Sequence, residues 1–130
     1  MSSIDIMIVE PFQDLAEVLS TACRKKGFST CTAQTAQEAV HMADRYSPKI
    51  IILELIIPSH NGLEFIHEYR SYPEWLDTPI IIYSHIAPSE LGMDEKMLKE
   101  MGITAHFYKP TATLSELIKT VETTFESINI

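Results

Sequence analysis

Glycine is scarce in this chain. There are four in 130 residues, too dispersed to form the backbone loop that cradles phosphate in nucleotide and flavin sites. Cysteine is scarcer still, with only Cys23 and Cys31. Two thiols at that spacing make neither a disulfide framework nor a zinc site, so small buried thiols in a reducing compartment are expected. Cations are also few: 10 lysines and arginines stand against 18 acidic residues, for a net charge of −8. That balance repels phosphate backbones and anionic lipid, which argues against nucleic acid or a membrane surface as partner. The one cationic run, Arg24-Lys25-Lys26, reads as a helix end meeting its dipole. No apolar run reaches bilayer length, and Met1-Ser2-Ser3 leads into a strand-like segment rather than a signal peptide. A cytoplasmic location is therefore expected.

Apolar residues, by contrast, are plentiful: 45% of the chain against 22% charged. This is enough for one domain over residues 1–130 with a core of its own. Strand and helix character alternate five times. Strands are expected at 4–9, 28–32, 49–57, 80–84 and 105–108, and helices at 11–26, 63–70, 88–101 and 115–126, with another from Thr35 until Pro48 stops it. Gly27 and Gly102 mark helix ends, Thr35 and Glu38 have the capping-box spacing, and Asn61-Gly62 turns into a helix. Leu15, Val18, Leu19 and Ala22 form the inner stripe of the first helix, and Leu114, Leu117, Ile118, Val121 and Phe125 that of the last. Five β-α units of this length predict an α/β fold with a parallel sheet covered by helices on both faces. In such sheets, functional side chains gather at the carboxyl ends of the strands, near the topological switch point.

Glu54 sits inside Lys49-Ile50-Ile51-Ile52-Leu53-Glu54-Leu55-Ile56-Ile57-Pro58, the most apolar stretch of the chain. A carboxylate there loses its water and needs a cation, a proton or a ring of donors. The strand-end rule gives it three companions: Glu10, Ser84 and Lys109. Two carboxylates, a hydroxyl and an ammonium suit a phosphoryl group, with acids holding a metal, metal and lysine offsetting charge, and the hydroxyl donating. Ser84-His85 is a poor hydrolase pair, because neighbours in a strand face opposite ways and no Gly-x-Ser-x-Gly elbow is present. Met93, Met97 and Met101 recur at helical spacing, as packing residues or as an adaptable partner surface. Trp75 is expected to anchor the 72–76 loop.

Four segments, in order, carry a family resemblance: Ile6-Met7-Ile8-Val9-Glu10-Pro11, the run from Ile51 through Glu54 and Pro58 to Gly62, Thr78-Pro79-Ile80-Ile81-Ile82-Tyr83-Ser84, and Phe107-Tyr108-Lys109-Pro110. Over essentially its full length the chain resembles a CheY-like response-regulator receiver domain, the phospho-accepting module of two-component signalling. The resemblance implies a single doubly wound, flavodoxin-like domain with a five-stranded parallel sheet in the order 2-1-3-4-5. It places Glu54 at the phospho-accepting aspartate, Glu10 in the acidic pair, Ser84 at the switch hydroxyl and His106 at the aromatic switch residue. Lys109 and Pro110 match the lysine-proline segment, whose peptide bond the family usually holds in cis.

The chain also departs from that pattern. The extra methylene of Glu54 spoils in-line attack, since misplacement by about 1 Å costs roughly 100-fold. Pro11 stands where a second metal-binding carboxylate is expected. A magnesium site reduced to Glu10, Glu54 and a backbone carbonyl is expected to be weak, so no cofactor is expected. The leading expectation is a non-enzymatic pseudo-receiver in which Lys109 and Ser84 engage Glu54 directly. By resemblance it would meet a histidine kinase, phosphotransfer or output protein through helix four, strand five and helix five, and a homodimer through the last helices is compatible with this. The alternative is a working receiver that takes phosphate from a histidine kinase, using Glu54 or a nearby hydroxyl and a weakly held magnesium. A small-ligand-binding flavodoxin-like protein is a third class, which the missing phosphate loop disfavours. Plainer roles stay open: Glu54 and Lys109 as a structural ion pair, Glu10 as a solvated residue, and His106 as either a pH reporter or an ordinary half-exposed side chain.

Overall fold

The computed structural model describes residues 3–58 and 60–128, with only the backbone of His60. Met1, Ser2 and Ser59, which fall within the segments read above, lie outside the described residues. Strands β1 (Ile6–Val9), β2 (Thr30–Ala33), β3 (Ile50–Leu53), β4 (Ile80–Ser84) and β5 (Ile103–Tyr108) form one sheet in the order β2-β1-β3-β4-β5. All its pairings are parallel. Helices α1 (Gln13–Lys25), α2 (Ala36–Tyr46), α3 (Gly62–Arg70), α4 (Glu95–Glu100) and α5 (Leu114–Ile128) connect the strands and flank them.

Strand alternation divides the core in two. Met7, Val9, Ile51, Leu53 and Ile82 face α2 and α3, where they meet Ala39, Phe65 and Tyr69. Ile6, Ile8, Ile50, Ile52 and Ile81 face the other way, against Leu19 of α1 and Leu117 and Val121 of α5. Burial on both faces explains why β1 and β3 read as unbroken apolar runs. Trp75 anchors its loop as expected, stacked 4.6 Å from the Tyr69 ring. Cys23 and Cys31 are free thiols, and burial pushes both up to about 11, leaving them unreactive at neutral pH. No helix among the described residues is long and apolar enough to cross a membrane.

Several local expectations need correction. The third strand ends at Leu53, and Glu54 lies just beyond it. The chain turns there because the Ile56 N–H bends back to the Glu54 carboxylate at 3.0 Å. Ile56–Ile57 then pairs antiparallel with His60–Asn61. The fourth helix does not run from Pro88. A single 3₁₀ turn at Pro88–Glu90 is followed by Gly92 at φ +64°, and α4 begins only after Asp94, which caps it through the Met97 N–H at 2.8 Å. Met93 therefore lies off the helix, and Met97 is exposed. Half of the Thr35 capping box forms: Glu38 donates its N–H to Thr35, but its carboxylate accepts from Gln34. The full box appears at α3, between Asn61 and Glu64. Val18 and Leu114, assigned to inner stripes, are 50% and 37% exposed, because each sits at the flank of its helix where α1 and α5 part.

Gly62 keeps the turn after Glu54 tight. Its N–H donates to Leu55 O at 2.7 Å, and a Cβ placed there would fall 2.7 Å from Leu55 Cα. Gly62→Ala should cost roughly 1–3 kcal/mol through this overpacking, read as a lower urea midpoint. An unchanged midpoint would mean the turn relaxes freely.

Candidate functional site

Each site residue ends a strand or directly follows one. Glu10 follows β1, Glu54 follows β3, Ser84 closes β4 and Lys109 follows β5. The parallel register brings these four ends together at one edge. Lys109 lies between the two carboxylates, its Nζ 2.6 Å from Glu10 Oε1 and 2.7 Å from Glu54 Oε1. The Ser84 hydroxyl donates to Glu54 Oε2, which also accepts the Ile56 N–H at 3.0 Å. The second Glu10 oxygen accepts the Phe12 N–H at 3.0 Å. Both oxygens of both carboxylates thus have donors from the chain itself. Glu54, Glu10 and Ser84 are buried, with 4%, 3% and 0% of their surface exposed.

Burial raises the Glu54 pKa, but the hydrogen bonds from Lys109, Ser84 and Ile56 and the Lys109 charge outweigh it, so Glu54 lies below its ordinary value. For Lys109 burial works downward, and the bonds and charges of Glu10 and Glu54 carry it above the ordinary lysine value. Both groups are therefore ionised at neutral pH, and the Lys109 ammonium bridges Glu54 to Glu10.

His106 lies on β5, away from the cluster but linked to it. Its Nε2 is 2.7 Å from Ile86 O, while the Ile86 N–H donates to Ser84 Oγ at 3.0 Å. Contacts thus run from Lys109 through Glu54 and Ser84 to the Ile86 backbone, whose N–H meets Ser84 and whose carbonyl, in the next peptide group, meets His106. The other ring nitrogen, Nδ1, is buried without a partner. Pro110 follows Lys109 through a trans bond; no cis peptide occurs among the described residues, which corrects the family-based expectation. The trans chain turns at once, with the Thr111 and Ala112 N–H groups both donating to Tyr108 O, and trans is the lower-energy isomer for most X–Pro bonds.

Two contributors escaped the sequence reading. His85 places its N–H 3.3 Å and its Nδ1 3.4 Å from Glu54 Oε1, rather than pointing away as strand alternation implied, because β4 ends one residue before it. Arg70 donates from its guanidinium to Trp75 O, Thr78 O and Met101 O at 2.6, 2.6 and 2.9 Å. Its position in the last turn of α3 was the only available signal.

Pro11 offers only a carbonyl, which accepts from Gln34 Nε2 at 3.4 Å, and the Lys109 ammonium occupies the space between the carboxylates. Among the described residues, no group of three or more His, Cys, Asp or Glu side chains is gathered as a metal would need.

Comparison with known proteins agrees with this architecture. The family model of the response regulator receiver domain matches residues 6–122. The KDP operon transcriptional regulatory protein KdpE of Escherichia coli K12 is 32% identical over 106 residues, which are 76% of this chain and 46% of KdpE. The chain thus spans about half the length of that relative, and of the response regulator ArlR of Staphylococcus aureus, of which it covers 47%. An uncharacterized 14.6 kDa protein of Leptolyngbya boryana is 26% identical over 122 residues, 94% of this chain and 90% of that protein. In fold, the chain is similar to a CheY-like receiver domain protein from Methanospirillum hungatei, with a TM-score of 0.82, 16% identity and coverage of 97% and 96%.

Proposed function

The chain belongs to the response-regulator receiver family, whose members work with histidine kinases and output domains in two-component signalling, and from that premise we propose that it is a pseudo-receiver. It is a non-enzymatic, cytoplasmic interaction module whose signalling state does not depend on phosphate or magnesium. One observation carries this reading: the pocket at the strand ends is already filled from within, and both its carboxylates share one ammonium. Lys109 bridges Glu54 and Glu10, and Ser84 donates to Glu54, the two contacts that a phosphoryl group would otherwise draw. The path through Ile86 to His106 holds β5 and the loop before α4 in one arrangement. The face of α4, β5 and α5 then offers a fixed surface to a histidine kinase, a phosphotransfer protein, an output protein or a second copy, with Met97 46% exposed upon it.

Intact mass after incubation with acetyl phosphate and magnesium tests the proposal, with Glu54→Asp run in parallel. The wild type should show no phosphoryl adduct. An adduct on it would overturn the reading and establish the alternative, a phospho-accepting receiver served by a weakly held ion. An adduct on Glu54→Asp alone would trace the loss to one methylene. No adduct on either would trace it also to Pro11 and the missing ligand.

A further inference from the structure

The helices α1 and α5 cover one face of the sheet and leave a groove of about 1010 Å³ between them, on the outside of the molecule. Its floor is apolar, with Ala22 and Ile118 partly or wholly buried and Val18 and Leu114 exposed. The charges along it are ordered. The α1 wall begins with Asp14 and Glu17 and ends with Lys25 and Lys26, about 17 Å further along the helix axis. The α5 wall adds Lys119 and Glu122. Three acids and three bases make the groove neutral, on a chain whose net charge is −8. Among the described residues, none of these six charges makes an ion pair within the chain.

We propose that this groove is a self-association surface, occupied by the same two helices of a second copy running antiparallel. Both helices follow parallel strands of one sheet, so they run in the same direction. A two-fold axis across them sets α1 against α1 and α5 against α5 of the second copy, each reversed. Asp14 and Glu17 of one copy then face Lys25 and Lys26 of the other, twice over. Lys119 and Glu122, three residues apart, face each other's counterparts in the same way. A surface matched to itself only when turned end for end selects a second copy. A uniformly acidic or basic partner would be attracted at one end and repelled at the other. Neutrality matters too, because elsewhere on this acidic chain two copies repel. Val18, 50% exposed, supplies apolar contact near the axis, and Leu114, 37% exposed at the start of α5, supplies it at each end. A face of two short helices lies at the low end of stable interfaces, so a dissociation constant in the micromolar range is expected.

Sedimentation equilibrium on the full chain, from about 1 to about 500 μM, tests this through charge reversal. The wild type should dimerise. Asp14→Lys with Glu17→Lys, and separately Lys25→Glu with Lys26→Glu, should each weaken self-association by about tenfold or more. An equimolar mixture of the two variants should recover wild-type association, because each then faces its opposite. That recovery also shows that both variants are folded. Val18→Glu, at a half-exposed position, should give a monomer with an unchanged far-UV circular dichroism spectrum. A wild type that stays monomeric throughout overturns the proposal. So does a dimer indifferent to these changes, which would place its contact on another face.

Discussion

Lys109→Met should lower the stability of the folded chain by about 3–5 kcal/mol near neutral pH, the cost of leaving buried charges without their counter-ion. Methionine keeps most of the stem volume, so the loss would report charge rather than a cavity. Two carboxylates are stranded by this change, since the ammonium serves Glu10 and Glu54 together. Glu54→Gln should cost less, because Lys109 retains Glu10 and the amide still accepts from Ser84 and Ile56. The double variant should be more stable than the sum of the two losses implies, because it removes one stranded charge along with its cation.

The pH dependence separates this account from lost packing. Glu54 is held below its ordinary value of 4.5. Its contribution is therefore present above that value and is lost as pH falls through the lower, folded pKa. Lys109 is held above its ordinary value of 10.5, so its contribution is complete below that value and is lost as pH rises through the higher, folded one. The cluster should stabilise the fold across the whole interval between the two. In Lys109→Met the Glu54 carboxylate has lost the ammonium that held it low and takes up a proton more readily as the solution is acidified, so the deficit relative to wild type should shrink toward low pH. Urea titrations of both proteins at neutral pH and near pH 4 measure it. A deficit equal at both values would assign the loss to packing and remove the ion cluster from the account.

The positions of these charges were legible because strand ends are the most readable points of a parallel α/β chain. Apolar runs locate the strands, and a polar residue closing a run has nowhere to go but the sheet edge, as at Val9-Glu10, Leu53-Glu54 and Tyr83-Ser84. What periodicity did not carry was the local path beyond each run. Lys49 to Ile57 reads as one strand since every residue but Lys49 and Glu54 is apolar, yet the chain leaves the sheet at Glu54 to bring the Ile56 N–H onto the carboxylate. The region after Pro88 reads as one helix because Leu91, Met97, Leu98 and Met101 fall between a proline start and Gly102, and Gly92 breaks it through a positive φ that spacing does not reveal. Val18 and Leu114 are apolar at helical spacing but exposed, because a stripe gives the direction of a face and not the width of its cover.

Arg70 marks the limit of such reading most clearly, and its replacement should be the other large effect. A cation in the last turn of a helix has a ready explanation in the helix dipole. In the fold it does much more. Its Nε donates to Met101 O, Nη1 to Trp75 O, and Nη2 to Thr78 O and, at 3.3 Å, Gly102 O. One guanidinium thereby joins the end of α3, the Trp75 loop, the entry to β4 and the carboxyl end of α4. Gly102 is needed beside it, at φ +74°, because a Cβ there would collide with Arg70 Nη2. Arg70→Ala would leave several partly buried carbonyls without donors, each costing about 1–3 kcal/mol where water does not reach, so a total of roughly 3–5 kcal/mol is expected. Arg70→Lys should recover less than half of it, since a single ammonium cannot span carbonyls arranged around a planar fork. Amide hydrogen exchange localises the effect. The N–H groups of Leu98 in α4, and of Met101 and Gly102 just beyond it, should exchange faster in Arg70→Ala than in Lys109→Met at equal global stability. If the two variants loosen α4 alike, the guanidinium is not what fixes that helix, and its carbonyl contacts merely accompany a fold held elsewhere.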